Sequence, residues 1–279
     1  LIGNPSELLH APILLSHCAP GAEWINGHVA DKAIVHNFRL EEWRRHLPEF
    51  YAQLSDSERQ RAGDFVHSRD RALYILTHGL LRRILGDILD RPAAELRFTT
   101  GTYGKRVLAG TTDGVGLCFS LSHSVDTGAV AVTADRRIGV DIERHRLLPD
   151  MESLARIAFS STQAQTLAAL PRQKRLASFF SWWTKQEAVL KGLGTGLADF
   201  PHNSPIFYGD QSETAETNDV FWHVRCARPF TATVCSVAVE LPSSSRRSLA
   251  PLPHEPRRNS AVSNKKGVQH GYTPPHTRV

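Results

Sequence analysis

The sequence predicts an α+β protein built from two comparable halves, and three observations support this prediction. The 279 residues allow one large domain or two small ones, at about 150 residues per domain. Hydrophobic residues make up 41% of the chain, which is ordinary for a soluble protein. The patterns follow the order helix, three strands, two helices and two strands, which is typical of segregated α and β elements.

The first half is expected to begin with a strand and continue with helices. The stretch 33–40 (AIVHNFRL) alternates enough to predict a strand. Ser55 and Glu58 have the spacing of a capping box, so a helix should begin there. Apolar residues at helical spacing predict a second helix over 69–89. Short strands are expected after it at 96–99, 117–121 and 128–133.

The second half is expected to mix strands and helices in the same way. The segment 138–142 predicts a strand, and helical patterns return at 162–170 and strongly at 173–191. Two late strands are expected at 221–225 and 233–239.

Both ends of the chain have little pattern. Residues 1–29 form a weakly patterned leader, which we expect to be poorly ordered, and they lack the basic segment of a signal peptide. Residues 242–279 are rich in Ser, Pro and Arg and predict a disordered tail. Seven basic residues and one acidic residue within 241–279 give this end a charge of +6, so the rest carries −1 of the total +5.

Composition excludes several classes of protein. With the basic residues concentrated in the tail, the body lacks the basic stripe of a nucleic-acid-binding fold. No apolar run approaches the roughly 20 residues that cross a membrane. Four cysteines without a CxxC pair are too few for a disulfide scaffold and favour a reduced, cytoplasmic setting.

Two carboxylates alternate along the strand predicted at 138–142. Successive side chains of a strand point to opposite faces, so Asp141 and Glu143 share the face opposite Ile138 and Ile142, roughly 7 Å apart. A hard cation such as Mg²⁺ would relieve their repulsion, because it prefers oxygen ligands. The alternative, a strand end with two solvated acids, stays open on this feature alone.

The Trp-rich helix at 173–191 carries a third carboxylate and a cation. Trp182, Trp183 and Gln186 share its apolar face, and Glu187 and Lys191 lie four residues apart along the border of that face. A helix anchored by two tryptophans is a rigid platform for such groups. The alternative is a surface ion pair worth a few tenths of a kcal/mol.

The segment Phe119–Ser124 (FSLSHS) suggests a phosphate contact. Phe119 is expected to face inwards and Ser120 and Ser122 outwards, while His123 should begin a turn. Hydroxyl and imidazole groups suit phosphate binding, although a lone histidine is more often structural. No GxSxG motif is present, so a hydrolase nucleophile is not indicated.

Taken in order, the motifs YGK, FSLSHS, GVDIER and WTKQEAVLKGLGTGL resemble those of the Sfp-type 4′-phosphopantetheinyl transferases. The resemblance covers about 34–239. It implies a monomer of two pseudo-symmetric α+β halves, 30–135 and 136–241, each a small antiparallel sheet packed with helices, with coenzyme A in the cleft between them. It also implies an enzyme of the holo-[acyl-carrier-protein] synthase type, which moves 4′-phosphopantetheine from coenzyme A to a serine of an apo-carrier protein and releases adenosine 3′,5′-bisphosphate.

The resemblance also implies roles for particular residues. Mg²⁺ would be held by Asp141, Glu143 and Glu187, with Glu187 and Lys191 as the catalytic pair. The coenzyme A contacts it implies are Arg61, Lys105, Arg106, Ser122, His123 and Asp141. The resemblance leaves open whether the carrier serves fatty-acid, polyketide, nonribosomal peptide or lysine biosynthesis.

Two positions depart from the family pattern. Arg106 stands where the family usually has proline, and Gln186 stands where a lysine usually precedes the helix glutamate. The missing lysine motivates an alternative function, a non-catalytic module that binds coenzyme A or a carrier protein. A metal-dependent phosphohydrolase would need more His or Asp ligands than the sequence offers.

Overall fold

A computed structural model describes residues 13–18, 20, 32–101, 104–111, 115–195, 205–207, 214–217 and 219–242. The predicted disordered tail, 242–279, lies outside these residues except for Pro242, and so does most of the leader.

The described chain alternates between strands and helices, and the predicted α+β class is confirmed. The strands are β1 (Ile13–His17), β2 (Ala33–Arg39), β3 (Phe98–Thr100), β4 (Arg106–Leu108), β5 (Leu117–Ser124), β6 (Thr127–Ala134), β7 (Ile138–Arg144), β8 (Ile206–Phe207), β9 (Thr214–Thr217), β10 (Val220–Ala227) and β11 (Thr233–Glu240). The helices are α1 (Leu40–Trp43), α2 (Leu47–Gln53), α3 (Asp56–Gly63), α4 (Ser68–Leu89), α5 (Met151–Ala158), α6 (Ser161–Ala169) and α7 (Arg172–Leu193), with 3₁₀ turns at Arg44–His46 and Ala93–Glu95.

The strands form two main sheets and a hairpin. The first sheet has the order β1-β2-β6-β5 and the second the order β7-β11-β10-β9-β8, while β3 pairs with β4. The β1–β2 pair is parallel and the other described pairs are antiparallel. Strands β5 and β7 are therefore edges of different sheets, and side-chain hydrogen bonds connect them.

Several elements differ from the expectation. The leader contributes β1, whose residues Ile13–His17 pair with β2, so a poorly ordered leader is wrong for this segment. The predicted helix start at Ser55 is confirmed, because its side chain accepts the Glu58 N–H in a complete capping box. Helices α1, α2 and α5 were not predicted. They are only four to eight residues long, which gives periodicity little sequence to act on.

Each sheet has its own long helix. Leu76 and Leu80 of α4 are fully buried in the cluster that includes Val130 and Val132 of β6. Val189 of α7 is buried with residues of β10 and β11. Among the helices in the described ranges, none has the length and apolar character needed to cross a membrane.

The backbone of helix α7 packs directly against the backbone of β7 at Gly139. A Cβ atom added to Gly139 would lie 1.9 Å from the Ala188 carbonyl oxygen and 2.4 Å from the Gly192 nitrogen, both backbone atoms. A Cβ on Gly192 would lie 2.5 Å from the Trp222 ring. Only glycine at 139 therefore permits this spacing between helix and strand.

We expect Gly139→Ala to destabilise the protein by about 3 kcal/mol or more, because the added methyl group meets backbone that cannot rotate away. Chemical denaturation of the purified variant measures the change. Gly63→Ala in α3 is the matched control, since an added Cβ there meets nothing within 4 Å, and its stability should be unchanged or slightly higher. Equal stability of the two variants would contradict the packing described for Gly139.

Candidate active site

The serines of β5 point towards β7 rather than into solvent. Ser120, Ser122 and Ser124 are all buried, and β5 continues through His123 to Ser124. The expectations that Ser120 and Ser122 face outwards and that His123 begins a turn are therefore wrong. Strand alternation alone could not show this, because β7, the edge strand of the second sheet, covers the polar face of β5 only in the folded protein.

Asp141 is held by a lysine and a serine. Its Oδ1 atom accepts hydrogen bonds from Lys191 Nζ at 2.7 Å and from Ser122 Oγ at 2.9 Å. Lys191 also donates to Ser122 Oγ at 2.9 Å. Asp141 is 1% exposed, so the alternative of a solvated acid does not hold. Its Oδ2 atom is buried and has no hydrogen-bond partner in the described part of the chain.

Glu143 is held in a similar way at the next position on the same face of β7. Its Oε2 atom accepts hydrogen bonds from Ser124 Oγ at 2.6 Å and from Arg146 Nη1 at 2.9 Å. Burial, followed by repulsion from Asp141, raises the pKa of Glu143 to about 7. Sequence reasoning missed both partners, although Ser124 follows Ser122 at the spacing of one strand face.

Glu187 completes the group of carboxylates from α7. It is 5% exposed, and burial together with repulsion from Asp141 raises its pKa to about 8. Burial lowers the pKa of Lys191, but the charges of Asp141 and Glu187 outweigh it, so the pKa is raised overall and Lys191 stays charged. The alternative of a surface pair between Glu187 and Lys191 does not hold.

Lys105 connects the loop before β4 to the second sheet. Its Nζ atom donates to the Gly192 carbonyl at 3.0 Å and to the Ile138 carbonyl at 3.4 Å. Its predicted contact with coenzyme A stays a prediction. Tyr103 of the same YGK motif lies outside the described residues.

Arg106 belongs to a buried ionic cluster that sequence reasoning did not anticipate. Its Nη2 atom donates to Glu58 Oε1 at 2.6 Å, and its Nη1 atom lies 2.7 Å from His78 Nδ1. Arg82 Nε donates to Glu58 Oε2 at 2.7 Å. Burial alone would raise the pKa of Glu58, but the His78 ring 3.6 Å away and the neighbouring Arg106 guanidinium hold this pKa well below its usual range. The contact between Arg106 and coenzyme A stays a prediction.

His123 and Arg61, the two remaining predicted contacts of coenzyme A, differ in their surroundings. His123 follows Ser122 on β5, and burial, with the nearby charges of His78 and Lys191, lowers its pKa to about 4. Arg61 lies on α3, where its guanidinium approaches Asp64 at 3.9 Å. Thus β5, β7 and α7 bring together the serine, histidine, carboxylate and lysine groups, whereas Arg61 pairs locally with Asp64, the residue that caps the end of α3.

The donor set suits a hard divalent cation. Asp141, Glu143 and Glu187 offer carboxylate oxygens, which Mg²⁺ prefers. An unpartnered buried carboxylate oxygen, such as Asp141 Oδ2, is costly unless a ligand binds it. Within the described ranges, no three His, Cys, Asp or Glu side chains are already gathered as a metal site. The fit therefore rests on the donor chemistry and on this oxygen, and the metal ligands stay predictions.

Comparisons with known proteins agree with the motifs. A family model described as the 4′-phosphopantetheinyl transferase superfamily matches residues 137–235. The chain is 34% identical over 170 residues to the 4′-phosphopantetheinyl transferase HetI of Nostoc sp., covering 61% of this chain and 72% of HetI. It is 26% identical over 149 residues to the 4′-phosphopantetheinyl transferase Sfp of Bacillus subtilis, covering 53% and 64%. It is 35% identical over 124 residues to the 4′-phosphopantetheinyl transferase AcpT of Salmonella typhi, covering 44% and 59%.

The chain belongs to the 4′-phosphopantetheinyl transferase superfamily. The resemblance drawn from the motifs is confirmed, and the family match includes the two carboxylates of β7 and the whole of helix α7. The chain spans 59% to 72% of the length of these three relatives.

The buried pair of Asp141 and Lys191 predicts a measurable coupling. Lys191→Met should destabilise the protein by about 3 kcal/mol, because it leaves the Asp141 carboxylate buried without its cation. Asp141→Asn combined with Lys191→Met should recover part of this loss. Chemical denaturation of the wild type, the two single variants and the double variant, all in EDTA, gives the coupling energy between Asp141 and Lys191. Lys185→Met on the same helix is the control, and a coupling below about 0.5 kcal/mol would contradict the pair.

The Glu58 cluster predicts a particular pH dependence. Glu58→Gln should cost about 3 kcal/mol at pH 7, because the buried Arg82 guanidinium and the partly buried Arg106 guanidinium lose their counter-ion. A carboxyl group with a depressed folded-state pKa stabilises the fold above its unfolded value of about 4.5 and loses this effect as the pH falls. The stability difference between wild type and Glu58→Gln should therefore narrow below about pH 4.5 in denaturation experiments. A constant difference would contradict this, and exposed Glu49→Gln serves as the control.

Proposed function

We propose that this protein transfers 4′-phosphopantetheine from coenzyme A to a serine hydroxyl of an apo-carrier protein. The observation that carries this proposal is the buried group of Ser122, Asp141 and Lys191, with Glu143 and Glu187 beside it, in a member of the superfamily. Binding alone does not require three carboxylates in a poorly solvated space. A reaction that develops negative charge on phosphoryl oxygens benefits from cations held there.

The atoms of the reaction balance without a further reactant. The serine oxygen of the carrier forms a bond to the phosphorus that bears pantetheine, and the bond from that phosphorus to the bridging oxygen breaks. Adenosine 3′,5′-bisphosphate leaves with the bonding electrons. Glu187 takes the serine proton, directly or through a water molecule.

The other residues bind and orient the donor. Mg²⁺ bound by Asp141, Glu143 and Glu187 would neutralise charge on the pyrophosphate. Lys191 is a fixed positive charge for the leaving oxygens, because Asp141 and Ser122 restrict its ammonium group. The nucleotide phosphates would be held by Arg61, Lys105, Arg106, Ser122 and His123.

The finer features of this function belong to the same proposal. We propose a monomeric enzyme of the holo-[acyl-carrier-protein] synthase type that acts in the cytoplasm, where its four free cysteines stay reduced. Its carrier would belong to fatty-acid, polyketide or nonribosomal peptide biosynthesis, and no nucleic acid or membrane takes part.

The alternative function is a non-catalytic module that binds coenzyme A or a carrier protein. Gln186 favours it, because this position lacks the usual lysine and its side chain is buried on α7. The three carboxylates favour the enzyme instead, and one assay separates the two.

The assay mixes the protein with coenzyme A, Mg²⁺ and an apo-carrier protein. Mass spectrometry should show a gain of about 340 Da on the carrier, the mass of the transferred group. Glu187→Gln should reduce the rate by at least about 100-fold, because it removes both the base and one proposed metal ligand. Exposed Glu95→Gln should keep the wild-type rate.

Two results would contradict this proposal. Binding of coenzyme A without any mass gain on several carrier proteins would favour the binding module. Wild-type transfer in excess EDTA, or by Glu187→Gln, would overturn the roles given to Mg²⁺ and Glu187.

A further inference from the structure

The two carboxylates of β7 are held by equivalent sets of partners, each of which includes one serine of β5. Asp141 Oδ1 accepts from one serine hydroxyl and one cation, Ser122 and Lys191. Glu143 Oε2 also accepts from one serine hydroxyl and one cation, Ser124 and Arg146. The arrangement repeats with the two-residue period of the strands.

In both cases the hydrogen bonds use only one of the two carboxylate oxygens. Asp141 Oδ2 has no hydrogen-bond partner within the described chain, and Glu143 Oε1 accepts none of the hydrogen bonds described for it. Each carboxylate is therefore fixed through one oxygen and has the other available.

Ser124 is fixed more firmly than Arg146. Its Oγ atom accepts the Arg144 N–H at 3.3 Å, so its own proton is directed to Glu143. Ser124 is 8% exposed, whereas the side chain of Arg146 is 31% exposed and solvent weakens its ion pair. The serine is the better-defined of the two contacts.

We propose that Ser124 is a positioning residue that holds Glu143 Oε2 and so keeps Oε1 available to the divalent cation. Arg146 supports the same oxygen. Ser124 itself touches neither metal nor substrate in this role, which rests on the proposed function of Glu143 as a metal ligand. Groups that orient a metal ligand commonly change metal affinity by 10- to 100-fold when they are removed.

The experiment compares Ser124→Ala with Ser120→Ala. Ser120 is a close match, because it lies on the same strand face, is also 8% exposed and accepts the Val140 N–H at 3.1 Å. Within the described ranges it makes no hydrogen bond to a carboxylate. Mg²⁺ is titrated by calorimetry into each full-length protein with coenzyme A present. Melting temperatures are measured in EDTA, and transfer rates are measured over a range of Mg²⁺ concentrations.

Ser124→Ala should weaken Mg²⁺ binding by about tenfold, and saturating Mg²⁺ should restore most of its transfer rate. Ser120→Ala should bind Mg²⁺ like the wild type while losing a similar amount of thermal stability. Arg146→Gln provides a second test, with a smaller loss of Mg²⁺ affinity, if Ser124→Ala does not fold.

Equal Mg²⁺ affinities in wild type, Ser124→Ala and Arg146→Gln would overturn the positioning role alone. Equal losses in Ser124→Ala and Ser120→Ala would also overturn it, because the effect would then be structural. Absence of Mg²⁺ binding by the wild type would instead overturn the metal assignment in the proposed function, and the positioning role with it.

Discussion

The backbone contact between Gly139 of β7 and the turn of α7 from Ala188 to Gly192 is the constraint on which the site depends. Strand β7 and helix α7 together supply all three carboxylates and the lysine. With no side chain at 139, the helix lies close enough for Lys191 to reach Asp141 at 2.7 Å. A longer separation would leave two opposite charges buried and apart, at a cost of several kcal/mol.

The two buried ionic groups of this protein differ in how completely they are satisfied. Around Glu58, both carboxylate oxygens have partners, from Arg106 on one side and from Arg82 and Ser55 on the other. Around Asp141, one oxygen has no hydrogen-bond partner among the residues that the structure describes. The carboxylate of Glu58 is therefore fully paired within its cluster, whereas Asp141 keeps one oxygen that a metal ion could bind.

Local patterns predicted the elements of the site better than its pairings. Alternation placed Asp141 and Glu143 on one strand face, and helical spacing placed Lys191 one turn after Glu187. The sequence could not show that Lys191 pairs with Asp141, because that depends on how α7 lies on β7. For the same reason the serines of β5 were predicted to be solvated. Strand β1 was missed because its pairing with β2, rather than its own pattern, stabilises it.

The position of β7 in its sheet has a consequence for how the molecule folds. Its neighbour in the sheet is β11, near the end of the described chain, rather than a strand close to it in sequence. Lys105 likewise bonds to a carbonyl 87 residues away, and Arg225 to one 212 residues away. Contacts between residues so far apart in sequence slow folding, because the entropy lost on closing the long loop precedes the favourable interactions that offset it. On the ribosome, the carboxylate strand must therefore wait for β11 to be synthesised before it can pair.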